Sequence, residues 1–259
     1  MSPRRAAAVP GSETLPGHLI AAAERLIARD GAAGLTVRAI AKEARVADGV
    51  LYNHFADKEE LIARALLAHV RTVERGLPPL PRGPGEGDLE TNLRAYVDYG
   101  VALHLAILPA FAGLLGRPDI LARFAALGGG PTLPGAHAGR PDDVVPPETG
   151  RARTGEARDG DLRDGHARSD DAGSDEARDG GVLEGGLHGE LARYLRAEQA
   201  AGRVAAQADP EAAATMVVGA CHELVLPRLL AGAAAGEIRV PPEFAGRVVT
   251  TCLHGLTPR

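Results

Sequence analysis

Apolar positions recur every three or four residues along most of this chain, the period of an α-helix with one buried face. Between Leu15 and Arg29 the stripe is Leu19, Ala22, Ala23, Leu26 and Ile27, with Gly31 and Gly34 as stop signals. Thr36 suits the N-cap of a second helix, Val37 to Ala44, whose inner face is Val37, Ile40, Ala41 and Ala44. A tight turn at Arg45–Ala47 leads to a predicted third helix, Asp48 to His54, burying Leu51 and Phe55. Asp57 caps a fourth, where Glu60 three residues later completes a capping-box pattern. Leu61, Ile62, Ala65, Leu66 and Val70 carry that stripe to about Arg75.

A Pro/Gly linker, GLPPLPRGPGEG, follows. Asp88 opens a helix through Ala95, Tyr96, Tyr99 and Ala102 toward Ile107, which Pro109 is expected to break or restart. Pro118-Asp119 starts another, ending at the glycines of 128–130. From Gly128 to Gly181 the pattern disappears. Gly, Pro, Asp and Arg dominate, EARDG occurs at both Glu156 and Glu176, and few apolar side chains offset the entropy of ordering. Helical spacing returns at Leu187, Leu191, Tyr194 and Leu195. Asp209-Pro210-Glu211 is a strong start for a helix to about Ala231, and PPEFAGRVVTTCLHGL makes the last one.

No strand-like alternation longer than a few residues is present, so the expected fold is all-α. It comprises an N-terminal three-helix helix-turn-helix domain and a C-terminal helical bundle with a long disordered insertion. The expected boundaries are a tail at 1–14, the helix-turn-helix at 15–60, the bundle at 61–127 and 182–259, and the insertion at 128–181.

Composition narrows the function. Aromatics are 3% of the 259 residues and Trp is absent, which favours helices packed through Ala, Leu, Val and Ile. Cys221 and Cys252 cannot build a disulfide framework and suit a reducing, cytoplasmic setting. The N-terminal MSPRRAAAVPG lacks the apolar region of a signal peptide. The run AAATMVVGACHELVLPRLLAGAAAG is interrupted by His222, Glu223, Pro227 and Arg228, so it reads as a buried helix with no membrane partner. Net charge is −5, from 29 basic and 34 acidic residues, which provides no global field for nucleic acid. Nucleic-acid binding must then rest on local geometry.

That geometry is offered by LTVRAIAKEARVADGVLYNHFADKEEL, Leu35 to Leu61. Two short helices joined by a tight turn bury little alone and make sense packed on the first and fourth as a helix-turn-helix. Ala41, at their crossing, permits close approach, and the second helix presents Asp48, Gly49, Val50, Asn53 and His54 outward, where a major groove displays distinguishable base edges. The stretch resembles the DNA-binding signature of the TetR family of bacterial transcriptional repressors, over about Leu15 to Leu67. The resemblance implies that Thr36 and Arg38 meet phosphate or a groove-edge base. It implies that Asp48, Gly49, Val50 and Asn53 face bases, with Gly49 letting the backbone approach. Tyr52 and His54 would bond phosphate, as would Lys58, helped by the fourth helix's N-terminal dipole. The bland alternatives are a packing role for Tyr52, a neutral cap at His54 and a solvated Lys58. Arg45 departs from the family's frequent Gly in the turn, and Asp48 places an acid at the tip of the reading helix. Arg4 and Arg5 are either a minor-groove arm or a plain tail.

The resemblance further implies a homodimer on a palindromic double-stranded DNA operator and a small-molecule effector that releases it. The dimer surface is expected on the apolar helices near Leu187–Ala201 and Asp209–Ala231, with small residues Ala212, Ala213, Ala214, Gly219 and Ala220; intrachain core is the competing use. Tyr96, Tyr99, His104, Phe111, Phe124 and His222 are candidates to line an effector cavity. No cofactor and no catalytic residue is expected. The competing class is a metal- or thiol-dependent sensor or enzyme using Cys221, His222, Cys252 and His254.

Overall fold

The computed structural model describes residues 14–81, 83–129 and 185–254. The expected tail with Arg4 and Arg5, and nearly all of the 128–181 insertion, lie outside the described residues. The described residues are helical, without a strand, and fall in one contact unit.

Helix α1, Leu15–Asp30, buries the five residues read from its stripe, and Gly31 (φ 76°) closes it by donating to Ile27 O at 2.9 Å. Helix α2 spans Val37–Ala44, with Thr36 Oγ1 accepting from Ala39 N at 3.1 Å. Arg45 then takes a left-handed conformation (φ 57°), as the missing turn glycine requires, at a cost of about 1–2 kcal/mol. The segment expected as a third α-helix is instead a 3-10 helix, Asp48–Asn53. Its N-terminus has no side-chain cap and Gly49 weakens it, so the tighter form closes through Val50 N to Ala47 O and His54 N to Leu51 O.

Helix α3, Lys58–Gly76, is capped by Asp57, which accepts from Glu60 N at 2.8 Å. The reciprocal bond differs from a standard capping box: Glu60 Oε2 accepts from Ala56 N (2.9 Å), one residue before the cap. Helix α4, Leu89–Ala112, does not break at Pro109. Pro109 removes the donor for Leu105 O, but Ala110 and Phe111 beyond it are buried, and their packing carries the helix on. Helix α5, Pro118–Ala126, buries Ile120 and Phe124.

The remaining helices are α6 (Gly186–Ala200), α7 (Pro210–Leu230) and α8 (Phe244–His254). They pack around α4, with α4 against α7 and α8, and α6 against α7. Helices α4 and α7 are each long and apolar enough to cross a bilayer; here they pack on one another. Where Gly100 crosses, a Cβ would come 2.9 Å from both Cys221 Sγ and Leu187 Cδ2, so close packing of α4 depends on a glycine. The Pro/Gly linker before α4 is pinned by side chains: Tyr96 Oη donates to Pro81 O (2.8 Å) and Arg203 Nη1 donates to Gly87 O (3.1 Å). Arg203 also pairs with the fully buried carboxylate of Glu198.

Candidate nucleic-acid interface

The reading segment has few contacts of its own, so its position is set by its neighbours. Helix α2 is tied to α1 at two points: Arg25 Nε donates to Glu43 Oε1 and His18 Nε2 donates to Ala44 O, both at 2.9 Å. Ile40, Ala41 and Ala44 are buried under α2, and Leu51 and Phe55 anchor the 3-10 segment into the same core. Neither His18 nor the Arg25–Glu43 pair was foreseen; their partners lie 18 or more positions away, a separation with no periodic signal.

Above this floor, Thr36, Arg38, Asp48, Gly49, Tyr52, Asn53 and His54 are all exposed. Tyr52 is 62% exposed, which separates an outward role from a packing one. Val50, expected to point outward, is half-buried against the core. Lys58 is half-buried too, its Nζ 3.9 Å from Glu59 Oε1. Lys42 and Arg45, exposed around the turn before the reading segment, add two cations to this side of the sequence. The Thr36 hydroxyl accepts from its helix, which leaves its O–H able to donate to an anionic oxygen. A Cβ on Gly49 would meet nothing within 4 Å, so no intramolecular contact demands a glycine there.

The first turn of α3 is less inviting to phosphate than expected. It carries Glu59 and Glu60 behind the cap Asp57; the Glu60 N–H serves Asp57, and the Ala56 N–H just before the cap serves Glu60. The Glu60 amide holds the Asp57 carboxyl below its ordinary range, seconded by Arg123; the Ala56 amide does the same for Glu60. The helix dipole is thus satisfied internally, and the cationic help comes from α5. Arg123 reaches both Asp57 oxygens at 2.7 Å, and Arg117 reaches Glu59 at 2.8 Å. These bridges span 66 and 58 positions of sequence and join the start of α3 to the α5 region. A second junction lies where the α1–α2 loop meets the end of α4: Ala32 N donates to Ala110 O at 3.3 Å, and Gly113 abuts Ala33.

The six effector candidates are brought inside, with Tyr96, Tyr99, His104, Phe111 and Phe124 buried and His222 partly so. Five of the six fall in separate ring pairs: Phe111 with Phe124 at 5.1 Å, His104 with His222 at 4.3 Å, and Tyr96 with Tyr194, a residue outside the six, at 5.2 Å. Burial, reinforced by His222, lowers the His104 pKa to about 4, so that imidazole is neutral and donates through Nδ1 to Gly100 O. The metal and thiol alternative does not assemble. Among the described residues no three His, Cys, Asp or Glu side chains come together as metal ligands. Burial pushes the Cys221 thiol up to about 12, the opposite of an activated nucleophile.

The apolar stripe of α6, expected to serve a dimer, is packed within the chain: Leu187, Leu191, Tyr194 and Leu195 are buried while Arg193 and Arg196 face out. Helix α7 keeps an outward row of Ala212, Met216 and Gly219, with Met216 55% exposed.

A sequence model for bacterial regulatory proteins of the tetR family matches residues 19–65, which span α1 to the first half of α3. No curated protein matches the chain. Among solved structures, a transcriptional regulator FadR from Bacillus subtilis, in complex with stearoyl-CoA, shares the fold with a TM-score of 0.50. Identity is 15%, over 93% of this chain and 98% of that one.

Proposed function

Because the chain belongs, through its N-terminal domain, to the tetR family of DNA-binding bacterial regulators, we propose that it acts in the cytoplasm as a homodimeric repressor. It sits on a palindromic operator until a small molecule releases it. The observation that carries this is the 3-10 segment held outward on Leu51 and Phe55, with Tyr52 displayed above them. Thr36, Arg38, Tyr52, His54 and Lys58 contact phosphates, and Asp48, Gly49 and Asn53 face base edges, with Val50 supporting from below. Since the net charge is −5, binding depends on this local sorting, and its salt dependence follows the number of phosphates that the two copies neutralise.

Two reading segments need a fixed spacing, and the open row on α7 supports a symmetric contact between two copies. A Cβ on Gly219 would meet nothing within 4 Å, which leaves room for a partner helix to approach closely. Effector binding among the C-terminal helices reaches the DNA side through Arg117 and Arg123 of the α5 region and through the α1–α2 loop on α4. Stearoyl-CoA, carried by the fold neighbour, is the first molecule to test as effector. The experiment is footprinting across the DNA flanking the gene. A protected palindrome, lost with an Arg38→Ala and Tyr52→Ala double variant that still folds, is the expected result; no protection at low salt refutes the reading.

A further inference from the structure

Helix α3 carries a second feature outside the DNA face and outside the aromatic core. Arg64, Leu67, Ala68, Arg71, Thr72 and Arg75 fall at i, i+3, i+4, i+7, i+8 and i+11, one helical face. With Ile20 and Glu24 of α1 and Leu127 at the end of α5, they line an open cavity of about 420 Å³. That volume lies within the range of small-molecule sites.

Charge and apolar surface are both present. Ile20, Leu67, Ala68 and Leu127 supply apolar lining, and the charged lining residues are three arginines and one glutamate, Glu24. Arg64 is engaged by Glu60 at 2.9 Å. Arg75 donates to Arg71 O and Thr72 Oγ1, both at 3.2 Å, which orients its guanidinium and leaves further N–H groups to donate. Among the described residues, neither Arg71 nor Arg75 is paired with a carboxylate. Like charges four apart on a helix repel, and an anion between them relieves that while its apolar body covers the partly exposed Ile20 and Leu127. We propose that this cavity is a binding site for an amphipathic anion, a carboxylate or phosphate head on an aliphatic body, held by Arg71 and Arg75. The proposal is independent of the DNA reading, and its test uses no DNA.

The test is titration calorimetry of the full chain with decanoate and with decyl phosphate, using decanol and decyltrimethylammonium as neutral and cationic counterparts. At least one anion is expected to bind saturably, at least tenfold tighter than either counterpart, and preference between the two identifies the head group. Arg71→Gln with Arg75→Gln is expected to weaken that anion at least tenfold, as is Thr72→Glu, which brings a second carboxylate into the site. Both changes are at exposed helix positions, and circular dichroism checks that the fold persists. Saturable binding by neither anion, equal binding of decanol, or unchanged affinity in both variants overturns the proposal.

Discussion

Replacing Gly113 by Ala tests how tightly the DNA-reading domain is seated on the C-terminal helices. A Cβ added there would lie 2.3 Å from Ala33 Cβ, with Ala33 Cα at 3.5 Å. Carbon atoms rest at about 3.5–4.0 Å, so the loop must retreat by roughly 1.2 Å or more. It cannot do so alone. Ala33 is three residues before Thr36, the cap of α2, and Ala32 is bonded to Ala110 O. The retreat is therefore passed to Thr36 and Arg38, while sites of this kind tolerate errors of about 0.5 Å. Loss of one well-made polar contact is worth about 1–3 kcal/mol, so affinity for the footprinted DNA is expected to fall roughly 5- to 150-fold. Both residues are exposed, so thermal stability is expected to fall little, by about 1–2 kcal/mol. The matching change is Ala33→Gly, which deletes the opposing Cβ and is expected to restore most of the affinity in the double variant. DNA binding by fluorescence anisotropy and thermal unfolding at fixed protein concentration read the two effects. Unchanged affinity in Gly113→Ala, or a double variant no better than the single, would show that the junction does not position α2.

Gly49→Ala is expected to leave the unfolding free energy unchanged or raised by up to about 1 kcal/mol, because the added Cβ meets nothing. Its DNA affinity should nonetheless drop; equal affinity would deny that the backbone is approached there. Asp48→Asn removes an acid from the reading face and is expected to strengthen binding to random-sequence duplex, with unchanged binding as the refuting outcome. Met216→Asp on the exposed row of α7 should shift sedimentation from dimer to monomer without loss of helicity, since Met216 is 55% exposed in one chain. For pH, His104 has a folded pKa of about 4 against an ordinary 6.5, so the unfolded chain binds the extra proton between those values. Its contribution is full above pH 6.5 and is lost as pH falls through 4. Between pH 7 and 4.5 the native chain should lose about 2–3 kcal/mol more than His104→Asn in urea unfolding. Parallel losses would place the depressed group elsewhere.

Much of the local architecture was legible in the chain. Thr36, Asp57, Asp88 and Asp209 all act as N-caps, because a cap bonds only to N–H groups two or three positions ahead. The burial of Leu51 and Phe55 followed from spacing in the same way, whereas the left-handed turn at Arg45 was implied only by the resemblance to a family that often has Gly there. Pro109 misled because the rule for proline in a helix weighs one lost hydrogen bond and not the burial of Phe111 beyond it. The 3-10 form of Asp48–Asn53 escaped notice since it differs from an α-helix in hydrogen-bond register, to which a six-residue apolar pattern is nearly blind.

By itself, the sequence settled the class of fold, most of the helices and their caps, and a helix-turn-helix with most of the residues it exposes, Val50 excepted. These rest on interactions within a few positions, where residue type and spacing are the whole of the physics. Tertiary structure alone decided which apolar stripes were consumed internally, as on α6, and which stayed open, as on α7. It also placed Arg123 on Asp57 and Arg117 on Glu59, and gathered Arg71 and Arg75 over the side chains of α1 and α5. Such pairings depend on how helices distant in sequence are brought to lie side by side, and no local pattern along the chain encodes that.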